Sequence, residues 1–135
     1  MPPRPPHILA GPYLERASHR RKDEERLRAA LADPSTLFVP VWQTRNSVLR
    51  AGDMLTAHLI AGAANFADID SSEFVFLGEF HGQAVFAVGL SGETPQVGGQ
   101  PVEFFDLRMI AGALPPDEAG LLAYARAMIH WREAH

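Results

Sequence analysis

The sequence predicts an α+β fold: a mostly antiparallel β-sheet of short strands with a central hairpin, flanked by an N-terminal helix and C-terminal helices. Three observations carry that expectation. Residues 18–31 and the stretch from Pro116 onward repeat their apolar positions at helical spacing. Between them lie short β-branched and aromatic runs separated by Gly, Asp and Asn. Those runs follow one another rather than alternating with helices, as βαβ units would.

The chain opens on Met1-Pro2-Pro3-Arg4-Pro5-Pro6, with four prolines, one positive charge and no apolar core. Proline breaks the helix that a signal peptide forms, so residues 1–12 read as an extended Pro-rich arm and 13–135 as one domain. Over 18–31 the charges Arg20, Arg21, Lys22, Asp23, Glu24, Glu25, Arg26 and Arg28 surround a thin apolar edge of Leu27, Ala30 and Leu31. This is a solvated amphipathic helix stopped by Asp33-Pro34, with Glu24 and Arg28 spaced as a supporting ion pair. The run 36–42 is β-branched and aromatic, hence a strand, and Pro40 places it at an edge or a bulge because proline has no N–H to donate. Thr44-Arg45-Asn46 reads as a polar turn and Gly52-Asp53 as another. Residues 54–60 alternate apolar and polar as a half-buried strand would.

An acidic loop over 67–73 precedes the clearest element. Phe74-Val75-Phe76-Leu77-Gly78-Glu79 and Gln83-Ala84-Val85-Phe86-Ala87-Val88-Gly89 form a β-hairpin, with Gly82 supplying the positive φ of its turn. A Gly/Pro/Ser loop over 89–99 leads to a short strand at 102–105. Asp106 is placed to cap a brief helix starting at Leu107. Pro115-Pro116 opens a longer one, with Asp117 and Glu118 at its positive end and Leu121, Leu122, Ala125, Met128 and Ile129 on one face.

Composition narrows the function classes. With 135 residues, 47% hydrophobic and 21% charged, the chain suits one folded domain and not a disordered segment. A formal net charge of −4 gives no basic footprint for phosphate backbones, so no direct nucleic-acid partner is expected. Without cysteine the chain holds neither disulfides nor thiolate metal sites, and a cytoplasmic location is expected. Charges and glycines interrupt every run before it reaches the ~18 apolar residues of a membrane-spanning helix.

Leu14-Glu15-Arg16, Phe76-Leu77-Gly78, Asp106-Leu107-Arg108, Leu114, Glu118-Ala119 and the run Ala125 to Trp131 together give the chain a family likeness. It resembles the N-terminal Nudix-like domain of NADH pyrophosphatases, in the Nudix hydrolase superfamily, over nearly its whole length. Glu15 stands where that family commonly has Asp, and Arg132 follows Trp131 where it often has His. The resemblance implies a zinc ribbon and a catalytic Nudix domain downstream, beginning just past His135. It also implies a homodimeric parent that hydrolyses NAD(H) to NMN(H) and AMP with Mg2+ or Mn2+, and structural Zn2+ in the ribbon. That chemistry uses the box G-x5-E-x7-R-E-U-x-E-E-x-G-U, U being a bulky aliphatic residue, because several carboxylates must hold hard cations against a pyrophosphate. This chain lacks it. The only Glu-Glu pair, Glu24-Glu25, belongs to the charged helix, and the residue six after Gly11 is Ala17. The expected role is a non-catalytic accessory and dimerisation domain with no cofactor of its own, whose partners are its own ribbon and catalytic domain.

Other chemistry-bearing residues have plainer readings. Asp68, Asp70 and Glu73 form an acidic loop without loop glycines or a phosphate cradle, so a solvated loop is favoured over a metal hydrolase site. His7, His19, His58, His81, His130 and His135 lack metal-ligand spacing; His130 and His135 would stand about 140° apart on a helix. Ser91-Gly92 and Gly98-Gly99 fit a hairpin connection better than a phosphate loop. Trp42, Tyr124 and Trp131 suit packing more than base stacking, though with the arginines they motivate an alternative, a module recognising a dinucleotide or an NAD-capped RNA end. For Arg16 and Arg108, structural pairing with Asp106, Glu15 or Glu118 is favoured over substrate contact.

Overall fold

The computed structural model describes residues 17–70 and 73–134. The Pro-rich arm, His7, Leu14, Arg16 and His135 lie outside the described residues. Helix α1 (Ala17–Ala32) ends at Asp33-Pro34 as the sequence predicts. There Asp33 Oδ1 accepts from the Ser35 backbone N–H at 2.9 Å and the Ser35 hydroxyl at 2.8 Å, which holds its carboxyl below the usual range. The Thr36 hydroxyl donates to the Ala30 carbonyl, which also accepts from the Asp33 N–H at 3.2 Å, so the last turn of the helix is doubly held. No ion pair among the described residues joins Glu24 to Arg28. An exposed pair gains too little in water to hold two long side chains in one geometry.

The strands are β1 (Leu37–Trp42), β2 (Arg45–Asn46), β3 (Val48–Ala51), β4 (Met54–Ala57), β5 (Ile60–Ala61), β6 (Phe74–Phe80), β7 (Gln83–Leu90), β8 (Gln96–Val97) and β9 (Gln100–Pro101). The main sheet runs β2-β1-β7-β6, with β5 also on β1, while β3–β4 and β8–β9 are separate two-stranded ribbons. Every pairing is antiparallel except β1 with β7, which run parallel from Leu37↔Val85 to Trp42↔Leu90. A parallel pair needs a long connection. Residues 43–82, which carry both the β3–β4 ribbon and β6, supply it.

Side chains of β1 and β7 are buried on both faces of the sheet. Val39, Val41, Val85 and Ala87 meet the helix α3 (Pro116–Ala134) through Leu121, Leu122, Ala125 and Ile129. Phe38, Phe86, Val88 and Leu90 face the other way, toward Phe66, Val97 and the Leu27, Ala30 and Leu31 edge of α1. Strands covered on both sides carry no polar alternation, which is why the sequence of β1 is almost wholly apolar. Each fully buried Leu or Ile of α3 contributes about 1.5–3 kcal/mol by leaving water. Glycine permits the close approach at Gly89, where an added Cβ would lie 3.2 Å from Ile129 Cγ2.

Four local expectations are corrected. Strand β1 is interior, not at an edge; Pro40 falls between β5, which pairs with Leu37 and Phe38, and β2, which pairs with Val41 and Trp42. The proline occupies a break in one ladder while the ladder to β7 continues. The reversal after β1 lies at Gln43-Thr44, whose φ values are 50° and 57°, so that Arg45 and Asn46 return as β2 rather than forming the turn. The expected strand 54–60 divides into β4 and β5, because β4 pairs back on the unforeseen β3 while β5 crosses to β1. No strand spans 102–105; only Phe105 bridges, to Asn46, after the β8–β9 ribbon turned by Gly98-Gly99.

The central hairpin stands as read, with a two-residue turn of His81 (φ 53°) and Gly82 (φ 82°). Two successive positive φ values match the twist of the flanking strands. Helix α2 (Leu107–Ile110) is capped by Asp106, whose side chain accepts from the Arg108 N–H. No helix among the described residues is long and apolar enough to cross a membrane.

Candidate functional site

The sequence around residue 46 decides where a cleft opens. Asn46 is fully buried, and its backbone exchanges two hydrogen bonds with Phe105, at 2.9 and 2.8 Å. Its Nδ2 donates to the Leu122 carbonyl at 3.1 Å, while Oδ1 has no hydrogen-bond partner among the described residues. One residue thus links β2, the entrance to α2 and the middle of α3, the first two through its backbone and the third through its side chain. Immediately after it the chain leaves the sheet to form the β3–β4 ribbon. Glu118 of α3 holds that ribbon: its Oε1 accepts from Thr56 Oγ1 at 2.8 Å and from the Ala57 N–H at 2.6 Å.

Between the ribbon, residues 101–105 and Ile110 lies a cleft of about 510 Å3. Its walls are mainly apolar, including Val48, Leu55, Val102, Phe105 and Ile110, with Arg50 and Glu103 also lining it. Ser47 and His58 bring the polar chemistry. Ser47 Oγ and His58 Nδ1 are 2.9 Å apart, and the His58 backbone N–H donates to the Ser47 carbonyl at 3.2 Å. Burial pushes the His58 imidazole below its ordinary value, favouring the neutral ring. Nothing local in the sequence announces this pair, because the two residues belong to different strands' flanks and meet only through the β3–β4 register.

The motif residues lie elsewhere. Leu77 is fully buried beside a register shift between Phe76 and Gly78, and Gly78 has φ 117°, a conformation that glycine adopts without a Cβ penalty. Phe76 packs on Phe86 with ring centroids 5.1 Å apart. Leu107 and Leu114 enter the α3-side core, and Ala119 packs against it. The Arg108 guanidinium clamps Asp106, Nε to Oδ1 at 3.3 Å and Nη2 to Oδ2 at 3.0 Å. This pairing holds the Asp106 carboxyl down to about 2. Glu118 therefore serves the β3–β4 ribbon rather than an arginine. Arg132, next to Trp131, donates to the Phe74 carbonyl at 3.2 Å and ties the end of α3 to the start of β6.

The three large aromatics are not brought together at the cleft. Trp42 packs against the Phe38 side of the sheet, donating Nε1–H to the Gly92 carbonyl at 2.8 Å. Tyr124 packs on the opposite side, where burial raises its hydroxyl, and Trp131 is 58% exposed on α3. His81 is exposed and pairs with Asp117 at 2.8 Å, and His130 is exposed. Among the described residues no three His, Cys, Asp or Glu side chains gather as a metal site.

A family model described as the NADH pyrophosphatase-like rudimentary NUDIX domain matches residues 23–131. The chain belongs to this family. The match takes in all the motif residues from Phe76 to Trp131 and leaves Leu14 and Arg16 outside it. No curated protein matches the chain at a significant level.

Proposed function

We propose that this chain is the non-catalytic N-terminal accessory domain of an NADH pyrophosphatase, a cytoplasmic Nudix hydrolase, and that it contributes to homodimer formation. One observation carries the reading: the sequence matches a rudimentary NUDIX family over 23–131 yet contains no Nudix box. A pyrophosphate hydrolase of this superfamily needs clustered carboxylates to hold its cations. The described residues do not offer such a group, and a chain without cysteine cannot build a thiolate zinc site. In this reading Mg2+ or Mn2+ and structural Zn2+ belong to the parent's catalytic domain and ribbon. In the parent, NAD(H) would be cleaved to NMN(H) and AMP by residues outside this domain, which supplies a rigid surface for them.

The α3 sequence supports that role. It devotes Leu121, Leu122, Ala125 and Ile129 to the domain's own core while presenting Trp131 at the surface. Light scattering on the 135-residue chain over a range of concentrations tests the dimerisation part. A concentration-dependent rise from the monomer toward twice its mass is expected, and a strictly monomeric species would remove dimerisation from the reading. Saturable quenching of tryptophan fluorescence by NADH would instead favour a nucleotide-recognition module.

A further inference from the structure

We propose that the cleft between the β3–β4 ribbon and residues 101–110 is a binding site for a compact, neutral, mostly apolar molecule that ends in a carbonyl oxygen. Its capacity of about 510 Å3 falls within the range of small-molecule pockets, and its lining, apolar walls with a few converging polar groups, is what such pockets show.

The choice of a carbonyl follows from the hydrogen-bond inventory. Ser47 is 2% exposed, and His58 Nδ1 is the one hydrogen-bond partner of its hydroxyl among the described residues. If Nδ1 carried the ring proton, the Ser47 O–H would be left buried without an acceptor, which is costly. The economical arrangement has the Ser47 O–H donating to Nδ1, with the proton of a neutral ring on Nε2. His58 lines the cleft, and Nε2 makes no hydrogen bond within the described residues. The site therefore offers an N–H donor on a residue that lines the same cleft as Val48, Leu55, Val102, Phe105 and Ile110. An acceptor on an apolar body complements it. Arg50 and Glu103, both exposed, give the lining one positive and one negative charge and so no net formal charge. This site is independent of the accessory role, and neither stands or falls with the other.

The test uses the full 135-residue chain in heteronuclear NMR titrations with benzamide and acetophenone as carbonyl probes and toluene as the probe without an acceptor. Saturable shifts at Ser47, His58, Val102 and Phe105 are expected with the carbonyl probes, together with a downfield change of the His58 Nε2 proton. Toluene should bind about five- to tenfold more weakly, the value of one net hydrogen bond. His58→Phe should erase that preference while leaving toluene binding in place. Leu55→Trp, which fills the slot, should abolish binding of all three, and the amide spectrum of each variant reports whether it is folded. Absence of saturable shifts with benzamide and acetophenone, equal affinity for toluene, or binding that survives Leu55→Trp would each overturn the proposal. If His58→Phe fails to fold, the wild-type ratio of carbonyl probe to toluene and the Leu55→Trp result decide it.

Discussion

Replacing Glu118 with Ala should loosen the β3–β4 ribbon from α3. The wild-type carboxylate accepts two hydrogen bonds through one oxygen, from Thr56 Oγ1 at 2.8 Å and from the Ala57 N–H at 2.6 Å. Hydrogen bonds to a charged group contribute about 1.5–3 kcal/mol each. Glu118 is half-buried, and water can reach what the truncation exposes, so the pair contributes no more than the lower end for two such bonds, about 2–3 kcal/mol after discounting for solvent. For a domain of this size that corresponds to a fall in Tm of roughly 6–15 °C. Urea unfolding of wild type, Glu118→Ala, Thr56→Val and the double variant measures the term, with a coupling of about 1 kcal/mol expected between the two sites. Glu118→Gln keeps an acceptor oxygen and should cost no more than about 1 kcal/mol. A Glu118→Ala loss below 0.5 kcal/mol, on the order of an ordinary surface substitution, would refute the reasoning. So would purely additive effects of the two single changes.

Three further outcomes are expected. Gly82→Ala should destabilise by about 1–2 kcal/mol in urea unfolding through backbone strain alone, because its φ is 82° and a Cβ there meets nothing within 4 Å. Leu122→Ala should cost about 2–5 kcal/mol, since the side chain is fully buried between α3 and the sheet and its loss leaves a cavity; a calorimetric Tm reports it. Asp106, held at about 2 against an ordinary 3.8, binds fewer protons folded than unfolded between those values. Its contribution is complete above about pH 4 and is lost as pH falls toward 2, so urea midpoints of wild type and Asp106→Asn should converge on acidification. Added salt should shrink the gap at pH 5, because the Arg108 partner is exposed.

Local signals in the sequence were legible where the physics is local. The β6–β7 hairpin follows from two apolar runs around His81-Gly82, α3 from Pro116 and its 121, 122, 125, 129 stripe, and the α2 cap from Asp106 alone. Features set by long-range pairing were not. Pro40 argues for an edge until β2 and β5 are seen to share one side of β1 with a gap between them. Asn46 looks like a turn residue because its burial depends on Leu122, 76 positions away, and Phe105. The cleft was invisible for the same reason: Ser47, His58, Val102 and Ile110 share no motif, and only the offset of the β3–β4 ribbon from the main sheet brings them to one place. Family likeness reached further than periodicity because its motifs sit at the structural joints, the bulge at Gly78, the cap at Asp106 and the Glu118 link.

The most direct test of the accessory role is turnover by the purified 135-residue chain. Incubated with NADH and saturating Mn2+ or Mg2+, it should release no AMP above the protein-free control by chromatographic assay, because it carries no box of carboxylates to hold the cations. Metal-dependent AMP release that follows the protein through purification and is lost in Asp68→Asn/Asp70→Asn would contradict the account and place a catalytic centre within this chain.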